Sequence, residues 1–241
     1  MTNSVLNYIK KAASKGEKLL AILLDPDKTN IEEIPTISNR ITSLKADFIF
    51  VGGSFVENGV TELFVKKLKI YTNIPIVLFP GDYSHVTNSA NALLFLSLLS
   101  GRNPEYLIEQ QIKSVPYLKN TSLEIIPTGY ILVDGGTHSS VLKISKTKPI
   151  PQDNIELIVN TAVAGMYKGK QLIYLEAGSG AKATVNSNII SKVKQHISIP
   201  LIVGGGIKTD KQLTNAYKSG ADVVVIGTAF EKGANFLNFS D

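Results

Sequence analysis

Eight apolar runs of strand length recur along the 241-residue chain, and they constrain its fold more than any other feature. Continuous apolarity, rather than strict alternation of apolar and polar residues, is typical of strands that are buried on both faces. The runs cover residues 19–24, 48–51, 75–79, 92–99, 125–133, 172–175, 200–203 and 222–226. They predict a parallel sheet that is covered on both sides.

Segments with helical spacing separate the apolar runs. One apolar stripe extends over residues 189–197. Pro104 predicts the start of another helix, because proline is favoured in the first helical turn. The inner face of that helix is expected to carry Leu107, Ile108 and Ile112. The regular alternation of strand and helix predicts a parallel α/β fold.

Eight strand–helix units in about 240 residues favour a single-domain (β/α)8 TIM barrel over an open sheet. The G-x-G-x-x-G fingerprint of open dinucleotide-binding sheets is missing after the first run, where the sequence reads Asp25-Pro26-Asp27-Lys28. We expect an N-terminal helix over residues 1–18, the barrel over 19–230, and a C-terminal helix or tail over 231–241. Insertions are expected between residues 120 and 148, a stretch that is long for one unit.

Composition excludes several classes of protein. The chain has no cysteine, which rules out disulfide scaffolds, thiolate metal sites and a cysteine nucleophile. Its longest apolar run is far shorter than the ~18 residues of a membrane-spanning helix, and its start lacks the apolar segment of a signal peptide. We therefore expect a cytoplasmic protein. The net charge of +5 favours anionic ligands, and without a basic block no nucleic-acid binding is expected.

Glycine-rich segments follow three consecutive runs, the sixth to the eighth. They are Gly178-Ser179-Gly180, Gly204-Gly205-Gly206 and Gly227-Thr228. TIM barrels often bind phosphate at the ends of strands 7 and 8 with backbone N–H groups, which glycine allows the anion to approach closely. We favour a phosphate-binding cradle, although the same glycines would also serve simply to turn the chain.

Carboxylates follow the first and the sixth run. Asp25 and Asp27 are candidate Mg²⁺ ligands, with Ser54 at the next strand end, because Mg²⁺ needs only one or two carboxylates beside substrate phosphates. The alternative is that an aspartate caps the loop or helix that follows, for which Asp27 is better placed. Glu176 is a candidate general base, or else the partner of a lysine in an ion pair.

Other candidates carry weaker signals. Tyr174 either orients the ligand of Glu176 or fills the barrel interior. His85 and His138 lie on loops at the predicted mouth, His196 lies in a helix facing solvent, and none of them has metal-ligand spacing. The apolar stretch 93–99 is either a core strand or the wall of a groove for a long apolar chain.

Taken together, the strand ends resemble the geranylgeranylglyceryl phosphate synthase family. The resemblance rests on residues 24–28 (LDPDK), 51–54 (VGGS), 174–180 (YLEAGSG), 203–207 (VGGGI) and 225–229 (VIGTA). It extends over nearly the whole chain, and YLEAGSG is its most specific part. The segments 79–82 (FPGD) and 99–104 (LSGRNP) are similar to the family's larger, often multimeric branch.

The resemblance implies a specific reaction. The family joins a polyprenyl diphosphate, such as geranylgeranyl diphosphate, to the 3-hydroxyl of sn-glycerol 1-phosphate, releasing diphosphate and forming an ether lipid precursor. By position Asp25 and Ser54 match its Mg²⁺ site, and Glu176 and Tyr174 are implied to be catalytic. The implied glycerol phosphate site comprises Tyr174, Leu175, Glu176, Ala177, Gly178, Ser179, Gly180, Gly205, Gly206, Gly227 and Thr228. Some relatives carry a phosphate-binding lysine at the position of Leu23.

The resemblance also implies a homo-oligomer, either a dimer or a hexamer, and a transient contact with a membrane surface for release of the product. Two alternatives remain open at this point. A phosphosugar isomerase or lyase would share the cradle but would need no diphosphate-binding metal at Asp25 and Ser54. A non-catalytic barrel that binds lipids or metabolites would share the cradle as well.

Overall fold

The computed structural model describes residues 4–53, 59–137 and 140–231. Eight strands form a closed, parallel barrel in chain order, and the eighth strand pairs with the first. The predicted TIM barrel is therefore confirmed. The candidates Ser54 and His138 lie outside the described residues, as does the predicted C-terminal tail after Glu231.

All eight apolar runs form strands, with boundaries close to those predicted. The strands are β1 (Leu19–Leu24), β2 (Phe48–Val51), β3 (Ile76–Leu78), β4 (Ala92–Leu98), β5 (Glu124–Leu132), β6 (Leu172–Glu176), β7 (Leu201–Gly204) and β8 (Val223–Ile226). Pro75 and Pro200 fall just before their strands, because proline has no N–H to donate to the ladder. Glu176 and Gly204 extend β6 and β7 by one residue, and these two residues lie side by side.

Helices connect the strands in the described part of the chain. They are α1 (Val5–Lys15), α2 (Ile34–Ser43), α3 (Val60–Tyr71), α4 (Gln110–Leu118), α5 (Ser140–Ser145), α6 (Ile155–Tyr167), α7 (Ser187–His196), α8 (Asp210–Lys218) and α9 (Thr228–Glu231). A 3₁₀ turn (Ile31–Glu33) precedes α2, and a π-helical turn (Glu105–Glu109) precedes α4. Among these helices, none is long and apolar enough to cross a membrane.

Successive strand residues alternate between two apolar layers. Phe50, Leu94 and Tyr174 point into the barrel, whereas Ile49 and Leu175 pack outward in the layer that holds the buried faces of the helices. This alternation follows from the two-residue period of a strand. It explains why the runs are apolar at every position and why a side chain's layer follows from its place in the strand.

The N-terminal end of the barrel is closed by α1. Val5 and Ile9 of this helix pack into the barrel interior. The Glu124 carboxylate at the start of β5 accepts hydrogen bonds from the Ser4 hydroxyl at 2.6 Å and from the Val5 N–H at 2.6 Å. It also accepts one from the Leu6 N–H at 3.2 Å. The helix is thus fixed over one end, which leaves the other end for a ligand.

The prediction for the helix after Pro104 is wrong in its orientation. Ile108 and Ile112 are exposed, to 53% and 56%, and Gln111 and Ser114 turn towards the barrel instead. A π-helical turn contains more residues than an α-helical turn, so it rotates the face that follows. The insertion expected between residues 120 and 148 corresponds to the short helix α5.

Candidate active site

One cavity opens at the C-terminal ends of the strands, where all eight strands or the loops after them contribute lining residues. From β1 to β8 these include Asp25, Gly53, Phe79, Leu94, Tyr130, Glu176, Gly205 and Thr228. Of the predicted site residues, Asp25, Tyr174, Glu176, Ser179, Gly180, Gly205, Gly206, Gly227 and Thr228 all line this cavity. The structure therefore brings the predicted cradle, base and acidic strand end together in one place.

Strand alternation divides the YLEAGSG segment into two sets. Tyr174 and Glu176 point into the barrel and line the cavity. Leu175 and Ala177 pack outward against the helices. Neither of these two side chains belongs to the cavity lining. Ala177 instead joins β7 through a hydrogen bond from its N–H to the Gly204 carbonyl at 3.1 Å.

Glu176 is a buried carboxylate beside a glycine turn. Its Oε1 accepts a hydrogen bond from the Gly178 N–H at 2.7 Å, and the Gly205 backbone lies against the same oxygen. Burial raises the pKa of Glu176 to about 7, although the Tyr174 hydroxyl and the Gly178 N–H act in the opposite direction. A carboxyl group with a pKa near neutrality is suited to accept a proton from a bound hydroxyl.

The Tyr174 hydroxyl is buried, and it has no hydrogen-bond partner of normal geometry within the described residues. A β-carbon on Gly204 would lie 2.5 Å from this hydroxyl and 2.9 Å from Glu176 Oε2. Both polar atoms therefore flank the same glycine. Because buried polar groups are nearly always hydrogen-bonded, this hydroxyl indicates a place for a polar ligand atom next to Glu176.

The cradle depends on glycine at Gly205. Its φ of +84° is in the left-handed region, and a β-carbon there would collide with Glu176 Oε1 and lie 2.7 Å from the Gly178 N. Across the cradle the hydroxyls of Ser179 and Thr228 are 3.1 Å apart. Backbone N–H groups and two hydroxyls around an open space are suited to bind the oxygens of a phosphate.

Asp25 marks the other side of the mouth. The residue is 8% exposed. Its carboxylate forms an ion pair with Lys28 and accepts a hydrogen bond from the Asp27 N–H at 3.2 Å. The Gly53 backbone packs directly against it, with a β-carbon position 2.5 Å from Oδ1. Partial burial opposes protonation of Lys28, yet the hydrogen bond and charge of Asp25 leave the pKa of Lys28 raised.

The residues at this strand end fit Mg²⁺ when part of its ligand set comes from a substrate. Within the described residues, no group of three or more His, Cys, Asp or Glu is arranged to hold a metal. A single carboxylate at the cavity wall instead suits Mg²⁺ held mainly by diphosphate oxygens and water. Asp27 is exposed, and the cap of the turn that follows is Asn30, so the capping alternative does not apply to Asp27 there.

Two cationic residues and one acidic residue of the cavity escaped the sequence analysis. Lys28 and Lys208 line the cavity, as does Leu23, which stands where some relatives have a lysine. Glu231, the last residue of α9, accepts the Asp25 N–H at 3.3 Å, and burial raises its pKa. Glu231 follows the last apolar run inside a short helix, so no strand-end pattern pointed to it.

The histidines take no part in the cavity wall as far as the chain is described. His85 is buried but does not line the cavity. His196 is exposed at the end of α7, where its ring is 2.7 Å from the Lys192 carbonyl. The expectation that His196 faces solvent is therefore confirmed.

The remaining part of the cavity is apolar and lies around β4. Leu94 and Leu98 line it from inside the barrel, and Leu93 and Phe95 line it from the outer face of the same strand. The π-helical turn, α4 and α5 form the opposite wall, to which Ile144 contributes. An apolar cleft that continues from a polar cradle is suited to a ligand with a long hydrocarbon chain.

Comparisons with known proteins agree with this geometry. The sequence profile of the PcrB family matches residues 14–238. Geranylgeranylglyceryl phosphate synthase from Zunongwangia profunda is 55% identical over 229 residues, covering 95% of this chain and 97% of the relative. The protein of the same name from Flavobacterium johnsoniae is 50% identical, covering 98% and 97%.

A solved structure is similar over nearly the same length. It is the crystal structure of (S)-3-O-geranylgeranylglyceryl phosphate synthase from Thermoplasma acidophilum in complex with substrate sn-glycerol-1-phosphate. The two chains are 33% identical with a TM-score of 0.91, and the match covers 97% of this chain and 94% of the other. The comparisons favour neither the phosphosugar barrel nor the non-catalytic barrel.

Proposed function

Because the chain belongs to the PcrB family, we propose that it is a prenyltransferase that joins a polyprenyl diphosphate to the 3-hydroxyl of sn-glycerol 1-phosphate. The products are diphosphate and a prenyl glyceryl ether phosphate, an ether lipid precursor. High identity to relatives of that activity supports the proposal. The cavity also joins a polar cradle to an apolar cleft, as two such substrates require.

The observation that carries the proposal is the environment of Glu176. A buried carboxyl with a pKa of about 7 lies beside the buried hydroxyl of Tyr174, which acts against the effect of burial on that pKa. With the phosphate held by the backbone near Gly205 and Gly206, the glycerol hydroxyl reaches both groups. Tyr174 orients this hydroxyl, and Glu176 accepts its proton.

The reaction exchanges one carbon–oxygen bond for another. The bond between the first prenyl carbon and diphosphate breaks, and its electron pair leaves with the diphosphate. The glycerol oxygen forms a bond to that carbon, while its proton passes to Glu176. Holding the two substrates in one cavity removes much of the entropic barrier to this encounter, and in ideal cases such positioning supplies roughly 7–11 kcal/mol.

Mg²⁺ is proposed as the cofactor, with Asp25 and Ser54 as its protein ligands. When bound, a divalent cation neutralises the charge that collects on the diphosphate leaving group. Asp25 holds its carboxylate at the cavity wall beside Gly53, and Lys28 adds a positive charge at the same side. Lys28 and Lys208 are proposed to supply the positive charge that relatives with a lysine at position 23 obtain there.

The first experiment is an assay with geranylgeranyl diphosphate and either sn-glycerol 1-phosphate or its 3-phosphate enantiomer. Each mixture is run with Mg²⁺ and with EDTA, and the prenyl ether is detected by mass spectrometry. We expect metal-dependent product from the 1-phosphate. No product, including with shorter and longer prenyl donors, would contradict the proposal and favour a phosphosugar enzyme on the same barrel.

Two further predictions about partners go with this function. We propose a homo-oligomer, a dimer or a hexamer, and a transient contact with a membrane surface when the product leaves. Ile108 and Ile112, exposed on the outer side of the cleft wall, are suited to such contacts. Light scattering after size exclusion gives the oligomeric state, and vesicle flotation with and without product tests the membrane contact.

A further inference from the structure

Three aromatic rings meet where the polar and apolar parts of the cavity join. The ring centroids of Phe79 and Tyr174 are 5.4 Å apart, those of Tyr130 and Tyr174 are 5.3 Å apart, and those of Phe79 and Tyr130 are 5.8 Å apart. All three rings line the cavity. We call these three residues the aromatic trio. Phe79 directly follows β3, Tyr130 lies on β5 and Tyr174 lies on β6, so closure of the barrel brings the three rings together.

The aromatic trio lies between the proposed base and the proposed tail cleft. On the polar side, the Tyr174 hydroxyl and Glu176 Oε2 both flank Gly204. On the apolar side, Tyr130 pairs in register with Leu98 of the cleft wall. A prenyl diphosphate with its tail along β4 and its first carbon near Glu176 would place that carbon at the aromatic trio.

We propose that the aromatic trio, and Phe79 above all, stabilises the positive charge that develops on the first prenyl carbon during transfer. This inference rests on the proposed function and assigns a catalytic residue to it. As the bond to diphosphate breaks, its electron pair leaves with the diphosphate and the allylic carbon becomes cationic. A cation within about 6 Å of an aromatic ring is attracted by the negative face of the ring.

Aromatic rings suit this charge better than a second carboxylate would. A carboxylate beside an allylic cation can capture it, whereas a phenyl ring attracts the cation and offers no lone pair. Burial raises the pKa of both Tyr130 and Tyr174 well above the ordinary tyrosine value, and the charge of Glu176 adds to this. Both phenols therefore stay protonated, and the glycerol oxygen meets no phenolate competitor.

Phe79 is held in place by its backbone. The Phe79 N–H donates a hydrogen bond to the Val51 carbonyl at 2.8 Å. The Phe79 carbonyl lies against Gly52, and any side chain at position 52 would collide with it. The ring is half-buried and faces the cavity. Since phenylalanine forms no side-chain hydrogen bond, an electronic effect at this ring separates charge stabilisation from orientation of the glycerol hydroxyl.

The test replaces Phe79 in the full-length protein by mono-, di- and trifluorophenylalanine. Fluorine withdraws electrons from the ring face while changing its size little. We expect the single-turnover rate to fall stepwise with fluorination, by about 10- to 30-fold in all. The affinity for sn-glycerol 1-phosphate and the melting temperature should stay the same. The matched control is the same series at Phe50, which is buried in the barrel interior away from the cavity lining.

The possible results separate the inference from the function on which it rests. A stepwise decrease at Phe79 with a flat series at Phe50 supports the inference. Equal rates across the Phe79 series in an active enzyme overturn the inference but leave the proposed function intact. An equal decrease at Phe79 and Phe50 has the same meaning. Absence of ether product from the unsubstituted protein overturns the proposed function and this inference together.

Discussion

Carboxylates lie at both ends of the barrel, and the two ends differ in the hydrogen bonds that these carboxylates make. At the N-terminal end, the carboxylate of Asp222 accepts the Leu201 N–H at 2.8 Å and pairs with Lys194 at 2.5 Å. Asp47 accepts the Leu20 N–H at 2.8 Å and the Tyr8 hydroxyl at 2.9 Å. These carboxylates join neighbouring strands and α1, as Glu124 does.

At the C-terminal end, Glu176 and Glu231 accept fewer hydrogen bonds, whereas Asp25 is paired with Lys28. Glu176 has one backbone donor on Oε1, and Glu231 has one on Oε1. Burial raises the pKa of both groups. Such carboxyl groups keep free oxygen lone pairs with which to accept a proton or bind a ligand. The carboxylates at the other end use theirs in hydrogen bonds that hold the fold together. The surroundings of a carboxylate, and not its residue type, therefore distinguish a structural role from a functional one.

The sharpest test of this comparison is the same substitution at both ends. Glu176→Gln removes the proton acceptor, so kcat is expected to fall by about 10²- to 10⁴-fold, the usual contribution of a general base. Steady-state kinetics at saturating substrates measure the change. Glu124→Gln at the closed end is the matched control and should keep its activity; equal losses in both variants would contradict the assignment of Glu176.

The raised pKa of Glu176 predicts how stability depends on pH. The folded value of about 7 exceeds the ordinary 4.5, so the folded state binds the proton more tightly. The resulting stabilisation is fully present below pH 4.5 and is lost as the pH rises through 7. At about 1.4 kcal/mol per pKa unit, the total change is about 3 kcal/mol.

Urea unfolding of the parent protein and of Glu176→Gln between pH 5 and pH 8 measures this effect. The glutamine does not titrate, so the difference in unfolding free energy between the two proteins should move in favour of the variant as the pH rises. A constant difference over this range would show that burial does not hold the proton on Glu176.

Stability should also fall on substitution at the closed end. Glu124→Gln replaces a charged acceptor of three hydrogen bonds by a neutral amide with one acceptor oxygen. A destabilisation of about 1–3 kcal/mol is expected from the buried donors that lose their partner. Thermal and urea unfolding measure this loss. Unchanged stability would show that Glu124 is not a structural carboxylate.

The smallest effect is expected at Tyr8→Phe. This change removes the hydrogen bond to Asp47 but keeps the ring against Phe48, whose centroid is 5.7 Å away. Because the pair is exposed, the loss should be below about 1 kcal/mol. Double substitution with Asp47→Asn tests whether the two effects share one interaction; full additivity would contradict it.

Local patterns predicted the strands well and the helix faces less well. Each of the eight apolar runs is a strand, because a strand buried on both faces needs little more than continuous apolarity and a turn residue after it. The face of the helix after Pro104 was predicted wrongly, since the π-helical turn at Glu105–Glu109 rotates the residues that follow it and regular helical spacing does not predict such a turn. Asp27 does not cap the turn that follows, because the Asn30 side chain accepts the Glu32 N–H there.

The candidate site was predictable to the extent that it lies at strand ends. Asp25, Glu176 and Gly205 were found from their positions directly after or at the end of apolar runs, and all three line one cavity. Phe79 and Tyr130 carried no separate chemical signal, since an aromatic residue in or after a strand is ordinary core. Glu231 lies within a helix and Lys208 lies just before one. Charged residues are common at such positions, so they do not indicate a functional site.

The sequence by itself determined the number of strands, their order as alternating units and the residues that end them. These features follow from local periodicity and from turn residues, which act over a few positions. The tertiary structure decided that Glu176 is buried enough to hold a proton near pH 7 and that rings from positions 79, 130 and 174 share one surface. Desolvation and ring contacts depend on atoms far apart in the chain, and only closure of the barrel brings those atoms together.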